Sequence, residues 1–217
     1  MSTSSWKLAA ALALSLFGAN AQAATVGLFY DAPSNLGTID AAIAYTSANA
    51  PTASFTSSLI DYPAGAAATI TANTNLSDYL GTNASGLSGA STTKVRSSVF
   101  VFSGYLDLSA GSQLFTVASA EGFRLIVGGS TVSQFAGTRG YAATSVTANP
   151  GSGVVAFTLY HFIQNGQAGL DFRIDGTAVA GVAAPGPGPG PAPVPLPASL
   201  TLMGAGLALL AGLRRGR

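Results

Sequence analysis

Alternation of apolar and polar residues with a period of two is the feature that most constrains this fold. In segment 170–175 (LDFRID) the even positions are apolar and the odd positions charged, and segment 155–160 (VAFTLY) alternates in a similar way. A strand with this period buries one face and exposes the other. Further strands are predicted at 25–30, 53–57, 67–72, 97–108, 113–119, 123–127 and 142–148.

Turn-forming pairs such as Asn165-Gly166 and Gly128-Gly129 separate these runs. Many short strands at this spacing predict an all-β domain, an antiparallel β-sandwich or barrel. Helix is a minor element, with short helices predicted at 39–45 and 76–80.

Composition excludes several classes of function. Only 8% of the 217 residues are charged, and the net charge is +1. Segment 24–182 holds five bases against all eight acids, so it lacks the basic field that nucleic-acid binding needs. The absence of cysteine excludes disulfides, thiolate nucleophiles and Cys-ligated metals, and a single histidine excludes a His-rich metal site.

The amino-terminal residues 1–23 have the pattern of a secretory signal peptide. Lys7 precedes an apolar run at 8–17, and Ala21-Gln22-Ala23 follows as a small-x-small cleavage site. Ala21 and Ala23 are therefore expected to guide signal peptidase, with cleavage after Ala23. The alternative is a buried amino-terminal helix, but ten apolar residues are too few to span a bilayer.

The carboxyl-terminal residues 198–213 predict a hydrophobic membrane helix. As a helix, the fifteen uncharged residues at 199–213 reach roughly 22 Å, a marginal span for a hydrocarbon core of about 30 Å. The arginine cluster Arg214, Arg215 and Arg217 is expected to stay cytoplasmic, which leaves the upstream chain outside the inner membrane.

A linker at 184–197 is predicted between the β domain, 24–183, and this tail. Proline occupies every second position from Pro185 to Pro197. Such a segment lacks the N–H donors of a helix or ladder and favours extended polyproline II conformations. It serves as a stalk for a processing enzyme or as an inert tether.

The tail resembles a known sorting signal. Val194-Pro195-Leu196-Pro197-Ala198, the apolar helix and the terminal arginines are similar, over residues 194–217, to the PEP-CTERM family of sorting tails in its VPLPA variant. The resemblance implies a Gram-negative envelope and transient anchoring in the inner membrane. It also implies recognition by an exosortase, removal of the helix, and delivery to the cell surface or extracellular matrix.

The middle of the chain resembles a second family. The segments SSVFVFSG (97–104), GSQLFTVAS (111–119), EGFRLIVGG (121–129) and GQAGLDFRIDG (166–176) follow one another in the order found in bacterial protective-antigen domains. The yeast GLEYA adhesin domains are related to that family. The resemblance spans about 26–176 and implies a β-sandwich or barrel, found on glycosidases, toxins and adhesins, that usually binds carbohydrate or acts as a spacer.

In the adhesin members of that family, two adjacent acids joined by a cis peptide hold a calcium ion that bridges sugar hydroxyls. The matching pair in this chain is Ala120-Glu121, so one acid is missing. Calcium needs about six to eight oxygen ligands. Glu121 is at most a single metal ligand, and the alternative is an ordinary solvated loop acid.

The sequence offers little for catalysis. His161 has the same strand parity as Phe157 and Leu159, which predicts a packed or rim histidine rather than a triad member. No nucleophile elbow occurs, and paired glycosidase carboxylates would have to come from acids outside any apolar pocket motif. The chain is therefore not expected to be an enzyme.

Candidate sugar-binding residues lie in a predicted loop. Gln134, Phe135, Arg139 and Tyr141 combine flat aromatic faces with polar groups, as carbohydrate sites do, and Glu121 is grouped with them. The alternative is a mini-core that packs under a long loop.

The sequence as a whole predicts an exported, non-enzymatic surface or matrix protein that binds extracellular polysaccharide weakly and through many copies. The main alternative is a structural matrix or biofilm protein that self-associates without a sugar ligand. An accessory role in an enzyme complex is a third possibility.

Overall fold

The structure, a computed structural model, describes residues 25–185. The predicted signal peptide with its cleavage residues, the linker beyond Pro185, and the whole sorting tail lie outside the described residues. The chain divides into two units, Met1–Ala184 and Pro185–Arg217. Among the described residues, no helix has both the length and the apolar character needed to cross a bilayer.

Two sheets of antiparallel strands make up the domain, as predicted. The larger sheet has the order β5-β2-β1-β6-β11-β8-β9, and the smaller one has the order β10-β7-β13-β14 with β3 also paired to β13. The short strands β12 and β4 pair with each other. The strands are β1 (Thr25–Asp31), β2 (Ala53–Ser57), β3 (Asp61–Tyr62), β4 (Ile70–Thr71), β5 (Ala84–Gly89), β6 (Ser98–Leu108), β7 (Gln113–Ser119), β8 (Phe123–Val127), β9 (Ser130–Phe135), β10 (Ala142–Ala148), β11 (Gly153–Ile163), β12 (Gln167–Ala168), β13 (Leu170–Ile174) and β14 (Thr177–Ala178).

The main core lies between the two sheets. Phe172 of β13 and Phe157 of β11 meet across it with ring centroids 6.0 Å apart. Tyr62 of β3 stacks on Phe102 of β6 at 5.6 Å. These rings are buried because the apolar positions of each alternating strand face the opposite sheet. The buried residues of both apolar clusters lie between Phe29 and Val179, so we expect the segment 24–184 to fold on its own.

A helix covers part of the outer face of the larger sheet. Helix α1 (Ile39–Ala48) begins at Thr38, whose hydroxyl accepts from the Ala41 N–H at 3.2 Å. Ile39 packs with Val99 and Val101 of β6 in a second apolar cluster. The first half of β6 is therefore buried on both faces, which explains its continuous apolar run. The second helix, α2 (Leu76–Leu80), lies where the sequence predicted it.

Several strand predictions were wrong or incomplete. The predicted strand 67–72 is extended only at Ile70–Thr71, and β5 was missed. Strand β9 was also missed: Gln134 and Phe135, interpreted as loop residues, are its last two residues, and it pairs with β8 directly after the Gly128-Gly129 turn. Strand β13 ends at Ile174, because Asp175 adopts a φ of 49° and its carboxylate accepts from the Leu114 N–H at 2.8 Å.

Candidate functional site

One end of the sandwich collects the loops that carry most of the polar side chains. Register places Asp31 of β1 and Ile163 of β11 opposite Ser98, the first residue of β6. The loops at this end are therefore the ones after β1, before β6 and after β11. The turn between β7 and β8 joins them, since Gly122 accepts through its carbonyl from the Phe162 N–H.

A polar pocket of about 520 Å³ opens among these loops. That volume is within the usual range for small-ligand sites. The side chains that give it its chemistry are Asp31, Asn35, Lys94, Arg96, Ser97 and Asn165.

The pocket is organised around Ser97. This residue has a φ of 49°, a left-handed conformation that non-glycine residues adopt infrequently. Its carbonyl accepts from the Ala32 N–H at 2.8 Å, and its hydroxyl lies 2.9 Å from Asn35 Oδ1 and 3.5 Å from Asn165 Oδ1. Among the described residues, the Nδ2 groups of both asparagines have no hydrogen-bond partner, so they are free to donate to a ligand oxygen.

The charges of the pocket come from Asp31, Lys94 and Arg96. Burial raises the pKa of Asp31, and the nearby Arg96 guanidinium opposes that shift. Lys94 Nζ donates to Asn75 Oδ1 at 2.8 Å, an amide rather than a carboxylate. The pocket can therefore donate hydrogen bonds from amides and cations and accept them at one carboxylate.

Three of the five residues predicted from sequence to bind sugar lie together beside this end. The Arg139 guanidinium carbon lies 4.3 Å from the centroid of the Phe135 ring and 5.6 Å from that of Phe123. Glu121 Oε2 accepts from the Arg139 N–H at 3.1 Å, and the Glu121 N–H donates to the Arg139 carbonyl at 3.0 Å. Arg139 also donates to the hydroxyls of Ser119 and Thr144.

These contacts make a packed internal cluster of Glu121, Phe135 and Arg139. The Glu121 carboxylate and the two Nη groups of Arg139 have partners within the domain, whereas Arg139 Nε is buried without one. The contacts among these three residues are those of the mini-core alternative. Burial raises the pKa of Glu121, and the hydrogen bond from Arg139 lowers it.

The other two predicted residues lie elsewhere. Gln134 is exposed on β9, where its Oε1 accepts from Arg124 Nε at 2.9 Å. Tyr141 is half-buried and packs against Gly169, since a Cβ added there would lie 3.0 Å from Tyr141 Cδ2. The predicted loop grouping of Gln134 and Phe135 with Tyr141 is therefore wrong: the first two are strand residues.

Tyr141 borders a second polar cluster on the smaller sheet. Asp61 and Asp171 lie opposite each other on β3 and β13, and Arg173 Nε donates to Asp171 Oδ2 at 2.6 Å. Burial raises the pKa of Tyr141, and Asp171 and Asp61 raise it further. The cluster therefore has two carboxylates and one guanidinium, a net charge of −1.

The residues at Ala120-Glu121 do not fit a calcium ion. Ala120 supplies no side-chain oxygen, and the Glu121 carboxylate already accepts from the main chain. Within residues 25–185, no group of three or more acidic, histidine or cysteine side chains could hold a metal ion. Calcium takes about six to eight oxygen ligands, and the pair Ala120-Glu121 supplies one carboxylate toward them.

His161 is fully buried, as its parity predicted. Its Nδ1 lies 3.1 Å from the Gly122 carbonyl oxygen, which can only accept, so Nδ1 carries the proton of the neutral ring. Burial lowers the pKa of His161 to about 4, and Arg139 contributes in the same direction. The side chain therefore belongs to the packing beneath the loops.

Two solved PA14 domains superpose on this architecture with a TM-score of 0.60 each. One is the PA14 sugar-binding domain from an RTX adhesin, 23% identical over 75% of this chain and 99% of that one. The other is the PA14 domain of the antifreeze protein MpAFP, 23% identical over 73% of this chain and 86% of that one. The chain has the PA14 fold.

The predicted protective-antigen sandwich is thereby confirmed. An anti-sigma factor domain-containing protein is also similar, with a TM-score of 0.50 and 12% identity over 78% of this chain and 51% of that one. No family model matches the sequence, and no curated protein matches it.

The polar pocket at the loop end was not predicted from the sequence. Asn165 was interpreted only as a turn residue, and Lys94 and Arg96 were counted only toward net charge. One signal was present: two of the five bases in the domain stand two positions apart, in a segment without strand periodicity.

Proposed function

We propose that this protein is an exported, non-enzymatic surface or matrix protein whose β domain binds extracellular polysaccharide. The observation that carries the proposal is the pocket at the loop end, with its two amide donors, a carboxylate and two cations. Groups of this kind fix the hydroxyls and ring substituents of sugars. The sugar-binding description of the similar RTX adhesin domain agrees with this function.

Weak binding is compatible with retention on a polymer. Many copies on one surface raise the effective concentration of sites, so a shallow pocket can hold a long chain that a single copy would release. The proposed role is therefore multivalent attachment rather than tight capture of a free sugar.

A pull-down on a panel of extracellular polysaccharides tests this function. The segment 24–184 should be retained by at least one polymer of the panel, and Asn35→Ala and Asn165→Ala should reduce retention. Asn149→Ala is the matched control, since Asn149 follows β10 at the opposite end of the sandwich. Absence of retention on every polymer, with and without calcium, would overturn the proposal.

Export and sorting form the second part of the proposal. We infer that signal peptidase cleaves after Ala23, that an exosortase recognises Val194–Ala198 in the tail, and that the helix at 198–213 is removed. The support is the order of signal, proline box, apolar segment and arginines in the sequence. Mass spectrometry of the mature protein should find Ala24 at its amino terminus and no Arg217, and intact Arg217 on surface-recovered protein would contradict the inference.

Self-association is the second candidate function. Strands β5, β9 and β10 lie at sheet edges and contain no charged residue, whereas edge strands usually carry charges that prevent pairing with another chain. Sedimentation of segment 24–184 without sugar distinguishes the candidates. Concentration-dependent oligomers, together with no polysaccharide retention, would favour the structural role.

A further inference from the structure

The described domain is acidic as a whole but has an excess of positive charge at one place. Residues 25–185 contain eight acids and five bases. Two of the five bases, Lys94 and Arg96, line the pocket at the loop end, where Asp31 is the one acid among the lining residues. The pocket therefore has a net charge of +1 on a domain of net charge −3.

Each of the other three bases forms a salt bridge or an aromatic contact within the domain. Arg124 pairs with Asp40 at 2.7 Å, and Arg173 pairs with Asp171 at 2.6 Å. Arg139 is held by two hydroxyls and lies over Phe135. Within the described part of the chain, Lys94 and Arg96 are the two cations that make neither a salt bridge nor a contact over an aromatic ring.

The two cations stand on either side of one anchored residue. Val95 between them is fully buried, and its N–H donates to the Thr74 carbonyl at 3.0 Å. Lys94 and Arg96 are not fully buried, and both line the same pocket. Lys94 is fixed further by its hydrogen bond to Asn75 Oδ1, which leaves its charge uncompensated.

Arg96 has the most available donors in the pocket. Its side chain is exposed and makes no hydrogen bond within residues 25–185. A guanidinium presents a planar fork of donors that matches the two oxygens of a carboxylate. The Asn35 and Asn165 amides and the Asp31 carboxylate surround it with groups suited to sugar hydroxyls.

We propose that the pocket selects an acidic sugar, with the carboxylate of a uronic acid residue bound by Arg96 beside Lys94 and the neighbouring hydroxyls bound by Asp31, Asn35 and Asn165. This inference rests on the proposed function and specifies its ligand class. Because the domain is otherwise acidic, attraction to an acidic polymer is confined to this pocket.

The test compares matched oligosaccharides that differ only in the carboxylate. Oligogalacturonate and oligoglucuronate are titrated calorimetrically into segment 24–184, alongside the carboxyl-reduced form of each. At least one acidic oligomer should bind about tenfold or more tightly than its reduced form, the size expected for a charge-assisted hydrogen-bond pair. Binding should weaken as salt increases, because the site is open to solvent.

Substitutions in the pocket test whether it causes the preference for the acidic oligomer. Arg96→Gln should abolish the difference in affinity between the acidic and the carboxyl-reduced oligomers. Lys94→Gln should reduce that difference, and Asp31→Asn should increase it. Arg124→Gln is the matched control, because it removes an arginine from an exposed ion pair outside the pocket and should leave binding unchanged. Unchanged thermal midpoints for the four variants would show that folding is retained.

The outcomes separate the two proposals. Equal affinity for the acidic and reduced oligomers, or a preference that survives Arg96→Gln, would overturn the acidic-sugar inference and leave polysaccharide binding in place. Binding restricted to neutral polysaccharides would overturn it as well. Failure to bind any oligomer or polymer would overturn the proposed function itself.

Discussion

The Arg139 guanidinium carbon lies 4.3 Å from the centroid of the Phe135 ring. Arg139 and Phe135, which the sequence predicted to contact a sugar, thus contact each other. The cation is bound by an aromatic face and by two hydroxyls, so its main effect should be on stability.

Arg139→Lys should lower the free energy of unfolding by about 2 kcal/mol, because a lysine keeps the charge but loses the planar stacking and the forked hydrogen bonds. Urea unfolding of segment 24–184 measures this loss. Polysaccharide binding by the folded fraction should be unchanged. Unaltered stability with lost binding would instead make Arg139 a ligand contact.

Calcium should affect neither stability nor binding. The oxygen ligands at Ala120-Glu121 are too few, and the Glu121 carboxylate is occupied by the Arg139 N–H. The thermal midpoint should be the same in millimolar calcium chloride and in EDTA. A rise in the midpoint with calcium that Glu121→Gln abolishes would contradict this prediction.

His161 should remain neutral in the folded protein down to about pH 4. In the unfolded chain its pKa is near 6.5, so the unfolded state binds more protons between these values. The contribution of His161 to stability is therefore complete above pH 6.5 and is lost as the pH falls toward 4, by about 3 kcal/mol in all. Since the chain has one histidine, an NMR titration of its imidazole follows this group alone.

A folded-state midpoint near 6.5 in that titration would contradict the burial of His161. Comparison with His161→Gln checks the effect on stability. Between pH 7 and pH 4.5 the variant should lose less unfolding free energy than the native chain, even though acids such as Asp31 and Glu121 oppose the trend in both proteins.

Gly122→Ala should destabilise the domain by about 3 kcal/mol through overpacking. A Cβ at this position would lie 2.5 Å from Phe162 Cε1 and 2.8 Å from the carbonyl oxygens of Phe135 and Gly137. Gly137→Ala is the matched control, because a Cβ there meets no atom within 4 Å. Chemical denaturation of both variants measures the difference, and equal stabilities would refute the close packing under the loops.

The alternation of apolar and polar residues in the sequence predicts many of the strands of the sandwich. Strand β13 was predictable because one of its faces is apolar and the other polar, so its period is visible in the sequence. Strand β9 was missed because its edge position lets Ser, Thr and Gln replace apolar residues, and such a run resembles a loop. The first half of β6 is buried on both faces because α1 packs against it. The period of a strand in the sequence does not predict that contact.

The pocket could not be predicted in the same way. Its residues lie at the end of β1 and on three loops, at positions as far apart as Asp31 and Asn165. No spacing rule connects such positions, since strand order and register bring them together. Glu121 shows another limit: it was selected by residue type, and residue type does not reveal that its carboxylate accepts a hydrogen bond from the main chain of Arg139.

The most direct test of polysaccharide binding through the loop-end pocket is an NMR titration of segment 24–184 with a polysaccharide fragment that it retains. We expect chemical-shift changes concentrated at Asn35, Lys94, Arg96, Ser97 and Asn165. Shifts centred instead on Tyr141 and Asp171 of the smaller sheet, or no shifts at saturating fragment, would contradict it.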